Sequence, residues 1–381
     1  MDRKVSSTIP RILALILMTS IPAPSRAGLS YYMHLFKGGF ELLRGRKPIE
    51  KVIADPETEP HLRSRLEVAS SAREFASQAL LLPRNKSYRS YKNLGRPFAS
   101  WAVVAAPELS LQPIEWCFPI AGCVSYRGYF SSQKAEKFAA RLRQRGYDVD
   151  VGGVRAYSSL GWFADPVLNT FLSLRDFDLA GLIFHELAHQ KLYVKGDTAF
   201  NEAFATVVEA EGVRRWVEER DDPELVSHYR SSSRQERQWI SLARRTRTQL
   251  EGVYKAAESD DWKREQKAEI FAGLRQRYRE LAAADESWVI FEDWFGAGLN
   301  NARLLAIAAY HEYEPALQRV LARCDFELRC FYAESAAISE MSQEERSRTL
   351  GALLQARPTS ARTPRPIRRP RDTTVDCGEP R

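Results

Sequence analysis

The sequence predicts an α+β fold that is predominantly helical, with a small β-sheet and one long, charged helical hairpin. Apolar residues recur three and four apart from Tyr31 to about Leu82, and again over most of the chain beyond Asp178. Between these stretches lie short β-prone runs punctuated by Gly, Pro and Ser. A length of 381 residues, 44% hydrophobic and 28% charged, is an ordinary globular composition with ample apolar material for a core.

Residues 1–27 have the pattern of an export signal. Arg3, Lys4 and Arg11 precede the apolar run Ile12 to Met18, and a proline-containing stretch ends in Ser25-Arg26-Ala27. A small-x-small site of this kind predicts cleavage after Ala27, with an uncleaved anchor as the alternative. The apolar run is short for a membrane span, and no later stretch is long enough. The expected product is therefore soluble, and periplasmic or secreted.

Residues 28–97 read as a helical N-terminal part of the main domain, which is expected to run to residue 355. The central part, 98–220, opens with strands at Trp101–Ala106 and Phe118–Tyr126 and an amphipathic helix over 132–146. Extended segments follow at Asp148–Val154 and Arg155–Leu160. Helices are then predicted at about 178–194 and 198–220. Further helices fill 221–355, at 223–257, 262–284, 299–310, 313–323 and 342–355. Trp239, Leu242, Leu250 and Tyr254 would face Trp262, Ile270, Leu274, Tyr278 and Leu281 in an antiparallel hairpin turning near Ser259. Charge as dense as this on a helix pair usually marks a solvated structural arm, a partner-binding role being the alternative. The Pro/Arg-rich segment 356–381 lacks periodicity and is expected to be disordered.

The net charge of +7 resides at the two ends, leaving a neutral body without the basic excess of a nucleic-acid-binding domain. Of the five cysteines, Cys117 and Cys123 are close together, as are Cys324 and Cys330, and Cys377 is alone. Local pairing is one of several connectivities, and no spacing suggests a CxxC metal site.

The strongest motif is His185-Glu186-Leu187-Ala188-His189, inside a run apolar enough to be a buried helix. Imidazoles at i and i+4 lie one above the other on one helix face, suiting two positions of a tetrahedral zinc. Glu186 is rotated away from them, able to reach a metal-activated water as general base. A third ligand is required. Gly196 reads as a helix stop and Asp197 or Thr198 as the cap of the next helix, which puts Glu202 in its first turn. Glu202 follows His189 after twelve intervening residues, enough for an antiparallel return. His185, His189 and Glu202 then make a His₂Glu site with one open position. Glu209, on nearly the same face as Glu202, is expected to accept the free N–H of a ligating histidine, or else to be a surface glutamate or the third ligand itself.

With these residues the chain resembles the predicted zinc aminopeptidases of Gram-negative bacteria, a group with affinity to the gluzincins. The resemblance spans most of residues 30–325. It rests on Leu82–Tyr91, Trp116–Phe130, Ala156–Pro166 and the run His185 to Glu209, including Asn201-Glu202-Ala-Phe-Ala205. It implies a zincin-like metallopeptidase core, Glu202 as third ligand and Glu209 in support. Two departures stand out. Family members are often lipoproteins, yet Ala27-Gly28-Leu29 offers no cysteine. The Gly-x-Met-Glu-Asn element by which gluzincin aminopeptidases hold an α-amine is also missing.

The reading is therefore zinc-dependent hydrolysis of a peptide or protein substrate, with an aminopeptidase as the specific expectation. An endopeptidase and a catalytically silent binding protein are the alternatives. Tyr310, His311 and Tyr157 are candidates for the second donor that a tetrahedral oxyanion needs. Val154–Leu160 is the expected edge strand for an extended peptide, with Tyr157 lining it. Arg127 is expected either to bind a substrate carboxylate or to anchor the N-terminal helices. The basic tail has the charge for peripheral contact with an anionic envelope surface.

Overall fold

Four helices of the computed structural model begin at a side chain that closes their first turn. Ser131 accepts the backbone N–H of Lys134, Asp197 that of Phe200, Asp222 those of Glu224 and Leu225, and Ser259 that of Trp262. The structure describes residues 29–118, 122–156, 158–296, 298–311 and 313–355, with backbone alone at 29, 30, 32, 36, 290 and 307–311. The expected leader 1–27 and tail 356–381 lie outside the described residues.

The chain begins with helix α1 (Leu29–Leu43), strand β1 (Lys47–Pro48) and helices α2 (Ile49–Ala54) and α3 (Pro60–Gln78). Strands β2 (Ser90–Lys92), β3 (Ser100–Pro107), β4 (Trp116–Phe118), β5 (Gly122–Val124) and β6 (Arg127–Tyr129) follow. Helix α4 (Ser132–Arg143) then precedes strands β7 (Tyr147–Val154) and β8 (Val167–Leu168). The remainder is helical: α5 (Asp176–Lys191), α6 (Thr198–Glu219), α7 (Pro223–Lys255), α8 (Asp260–Ala284) and α9 (Glu292–Gly296). Helices α10 (Asn301–His311), α11 (Glu314–Arg323), α12 (Leu328–Ser339) and α13 (Gln343–Gln355) complete it. The α+β, predominantly helical expectation holds.

Strand β3 explains why one short sheet organises two cores. Its side chains alternate by face. Val103 and Ala105 pack with Tyr31, Trp116, Tyr129 and α4, while Val104 and Ala106 pack with the α7–α8 hairpin and α10. A strand covered on both faces is apolar throughout, as Trp101–Ala106 is. It pairs antiparallel with β6 and with β7, in the order β6-β3-β7. The largest core joins α3, α5, α6 and α11 to α13, with Phe184, Phe200, Phe204, Trp216, Phe331 and Leu350 buried in it.

Several expectations change. Phe118–Tyr126 is not one strand: β4 and β5 form a small hairpin with Cys117 opposite Cys123, and the two are disulfide-bonded. Cys324–Cys330 is the second local bridge. Arg155–Leu160 is not extended pairing. After Val154 the chain turns inward, where the Thr170 carbonyl accepts from Arg155 and the Thr170 hydroxyl donates to the Arg155 carbonyl. The charged hairpin exists, but it is no free arm. Ala243, Leu250, Phe271, Leu274 and Tyr278 are buried against β3 and α10, while Trp262 stays outside that core. Helix α12 was not anticipated. Among the described residues no helix is long and apolar enough to cross a membrane.

The C-terminal helix reaches back to the middle of the chain. Arg346, 4% exposed, donates from Nε to the Asp197 carboxylate at 2.7 Å and from Nη1 to the carbonyls of Ser339 and Met341. Removing one partner of a buried pair strands the other charge. We expect Arg346→Ala to destabilise the fold by about 3–5 kcal/mol, read as a shifted midpoint in urea unfolding.

Candidate metal centre

Helix α5 starts with Asp176 and Asp178 and ends with His189 and Lys191, so its charges complement the helix dipole. Its N-terminal end is gripped from α3: Arg65 donates to the carbonyls of Leu172 (2.8 Å) and Leu174 (2.6 Å) and pairs with Asp176. At the other end Leu192 turns extended, and Gly196 takes the left-handed φ of +82° that the reversal requires. Asn201 then stitches the turn on both edges of its amide. It accepts from the Val194 N–H at 2.7 Å and donates to the Val194 carbonyl at 2.8 Å. With Asp197 capping α6, Glu202 is delivered one turn into the returning helix.

Three side chains meet here. His185 Nε2 lies 3.1 Å from His189 Nε2 and 3.2 Å from Glu202 Oε2, and His189 Nε2 lies 3.7 Å from the same oxygen. Zinc bonds of about 2.0–2.2 Å in a tetrahedron place neighbouring donor atoms about 3.3–3.6 Å apart. The three donors fit such an ion, and among the described residues they form the group able to hold a metal. Glu209, from α6, takes His185 Nδ1 at 2.9 Å, which leaves Nε2 directed at Glu202 and His189. His189 Nδ1 is buried without a partner among the described residues.

Glycine makes this approach feasible. A Cβ built on Gly181 would sit 2.9 Å from Glu209 Oε1 and 3.1 Å from Val213 Cγ2. The bare backbone leaves room for α6 to bring Glu209 across α5 to His185 without displacing its carboxylate.

The electrostatics are those of charge in a dry site. Burial works against an ionised His185, but hydrogen bonds and charge from Glu202 and Glu209 outweigh it and push the imidazole well above its usual value. Burial likewise disfavours ionised Glu202, yet the two histidines pull it down to about 2. Glu186 is raised, chiefly by burial, with the histidines opposing and Glu202 adding to the shift.

Around this set the 80–91 segment is pinned to the end of α5. Gln190 accepts from Asn85 at 2.7 Å and donates to Ser87 at 3.3 Å. Buried Arg73, lowered to about 10 by desolvation, binds the carbonyls of Ser87, Pro83 and Asn85 at 2.8–3.0 Å. Against that segment, where the Asp165 carbonyl accepts from the Tyr88 N–H at 2.6 Å, the buried Asp165 carboxylate accepts the N–H and hydroxyl of Ser159, both at 3.0 Å, and shapes a turn carrying exposed Trp162 and Phe163. Neither Arg73 nor Asp165 carries a local signal in the sequence, since their partners are fixed only by tertiary packing. Asn201 had one, in the Asn-Glu pair that the resemblance picked out.

Of the other residues singled out from sequence, Tyr157 lies outside the described residues. Tyr310 and His311 are placed on α10, with only their backbone described. Arg127 does not join the metal cluster. Its guanidinium lies 4.1 Å over the Tyr31 ring and 4.6 Å over Phe138, the anchoring position between α1 and the sheet. Val154 ends β7, so the expected edge strand stops where the substrate-facing part was to begin.

A family model described as "Putative aminopeptidase" matches residues 30–350. No curated protein and no solved structure matches the chain.

Two outcomes follow from this geometry. Gly181→Ala is expected to displace Glu209 and weaken divalent-metal affinity by about 10–100-fold while leaving the fold intact, as a cobalt titration would record. The second concerns pH. A raised His185 stabilises the metal-free protein fully below its ordinary 6.5, and that contribution is lost as pH climbs through the raised value. A depressed Glu202 contributes above 4.5 and loses its contribution as pH falls towards about 2. This cluster therefore favours the chelated protein most between 4.5 and 6.5. Metal affinity should instead rise with pH, because binding displaces the His185 proton. Melting curves with and without metal from pH 5 to about 9 should diverge in that sense.

Proposed function

Because the chain belongs to the family described as "Putative aminopeptidase", we propose that it is a zinc peptidase that binds its metal through His185, His189 and Glu202. Glu186 is its general base. The observation that carries this reading is the donor triangle of 3.1, 3.2 and 3.7 Å, which has the size of one tetrahedral face around zinc. A site of three protein ligands with a fourth position open is the catalytic form of zinc site.

Zinc held there supplies Lewis acidity, lowering the pKa of water and polarising a peptide carbonyl. The protein's own groups do the rest. Glu209 keeps the proton on His185 Nδ1 and so fixes which ring nitrogen faces the metal. The Glu186 carboxylate, made more basic by burial, takes a proton from water as its oxygen bonds to the carbonyl carbon. When the C–N bond breaks, the same group returns that proton to the leaving amine. Water is consumed, and a carboxylate and an amine are released.

Family membership supports cleavage at the amino end. The antiparallel α5–α6 pair supports the zincin-like reading of the core. Export to the periplasm or beyond is supported by the leader pattern and by two disulfides, which persist in oxidising compartments.

Metal analysis and a peptide library, run on the parent protein and Glu186→Gln, test the proposal. The expected outcome is one zinc per chain in both proteins, with cleavage slowed by about 10²–10⁴-fold in the variant. A folded parent protein that takes up no zinc would refute it. Equal cutting of free and N-acetylated peptides would replace the amino-end specificity with an endopeptidase.

A further inference from the structure

The 159–165 turn presents apolar surface where a folded chain ordinarily hides it. Trp162 is 72% exposed and the adjoining Phe163 58%, and among the described residues no large apolar side chain is more exposed than Trp162. Single exposed apolar residues are ordinary, but two neighbouring aromatic rings on one turn make a patch of the kind that marks a binding surface. The backbone under them is held in place. The Trp162 N–H donates to the Ser159 carbonyl at 3.1 Å and the Phe163 N–H to the Ser159 hydroxyl at 3.0 Å, while buried Asp165 holds Ser159. Leu160, at φ +54°, takes the left-handed conformation that residues other than glycine seldom adopt, and Gly161 follows at φ +83°. Strain of this kind persists only where the surroundings over-determine it, and it clusters where ligands are held.

The turn stands against the end of α5. A Cβ built on Gly161 would lie 3.6 Å from Gln190 Cγ and 3.7 Å from its Oε1. The Gln190 amide donates to the Ser87 hydroxyl at 3.3 Å, and that hydroxyl reaches the Phe163 carbonyl at 3.5 Å. Arg46 ties down the Ala164 carbonyl. Gln190 follows His189 directly and lies one helical turn beyond Glu186, on the same face of α5. Four helical residues rise about 6 Å, and an extended peptide advances about 3.3 Å per residue. A peptide cut beside Glu186 therefore brings a side chain to this turn within about two residues of the bond. Rings on fixed backbone lose little freedom when they are covered, so they offer contact area at low entropic cost. The complement of two uncharged rings is a bulky apolar side chain.

We propose that Trp162 and Phe163 form an apolar subsite that covers a bulky hydrophobic side chain of the bound peptide, within two residues of the bond that is cut. They set specificity: they touch the substrate, but not the reacting atoms. The assignment rests on the peptidase reading above and adds to it a substrate class, peptides with Leu, Phe or Trp beside the cut.

Trp162→Ser combined with Phe163→Ser removes both rings and keeps the backbone bonds of the turn. With the zinc-loaded enzyme we expect the parent to favour Leu, Phe or Trp over Ala near the cut by about tenfold or more in kcat/KM. The double variant should lose about 10–100-fold on those peptides and stay within about twofold on the Ala peptide. Binding is read separately in Glu186→Gln. Its affinity for a Phe-containing peptide should fall by a similar factor when both rings are removed, and the blue shift of tryptophan emission on binding should vanish with Trp162→Ser. The double variant should melt with the parent, since both rings face water. A clear drop in melting temperature, equal losses on apolar and Ala peptides, or unchanged kinetics and binding would each overturn the assignment. So would ring-dependent binding to phosphatidylglycerol vesicles with peptide kinetics unchanged, which would give the patch to a membrane surface. A parent protein that takes up no zinc and cuts no peptide removes the peptidase reading and this subsite with it. A competent parent that does not distinguish Leu from Ala removes the subsite alone.

Discussion

Two imidazoles and three carboxylates are crowded between α5 and α6, and the rest of the structure answers to that crowding. Ionised groups in a dry site are costly unless each finds hydrogen bonds or opposite charge. Here each supplies the other. Glu202 and Glu209 hold the two nitrogens of His185, and the histidines hold Glu202 ionised. The arrangement works only at one helix separation, which the missing side chain of Gly181 permits. It also needs one relative rotation, set at the turn by Gly196, by Asn201 and by the cap at Asp197.

Outside the helix pair, most ordering devices are buried or half-buried cations. Arg65 fixes where α5 begins, Arg73 fixes the irregular 83–87 segment, and Arg346 neutralises the capping aspartate. Guanidinium is suited to this work because several donors on one plane can satisfy several carbonyls that no strand or helix satisfies. The sheet, with its two flanking cores, contributes indirectly. It carries the chain from β7 through the 156–166 turn into β8, which pairs in parallel with β2. That pairing sets the Asp165 turn beside Tyr88.

Much of this was readable from sequence, because it depends on near neighbours. The i, i+4 histidines, the glycine stop, the aspartate cap and Glu202 all lie within a short stretch with regular periodicity. Helix boundaries from α5 to α8 fell close to the expected ones for the same reason. The failures share the opposite cause. Phe118–Tyr126 looked like one strand because a disulfide hairpin and an ordinary strand have the same apolar content. Arg155–Leu160 looked extended until Thr170 drew it inward. The hairpin's apolar face was visible, but not that it would close over β3. For Arg73, Asp165 and Tyr88 nothing nearby distinguishes a surface side chain from a buried one. Their partners are chosen by the tertiary fold.

The reach of Arg346 has a consequence for how the molecule comes into being. His185 and Glu202 are 17 residues apart, and His185 and Glu209 are 24. Such short loops close at little entropic cost, so the cluster can assemble from neighbours as soon as both helices exist. Arg346 lies 149 residues beyond the Asp197 that it neutralises. In a chain synthesised from its N-terminus, the helices that carry the donor cluster emerge well before the cation that stabilises the cap between them. Until α13 docks, the Asp197 carboxylate lacks its guanidinium, and the turn is held by Gly196, by Asn201 and by the cap that Asp197 gives Phe200. The site is thus held by contacts of two very different ranges in the chain. Near neighbours bring the donors together, and the C-terminal helix, the most distant part in sequence, clamps the turn between them.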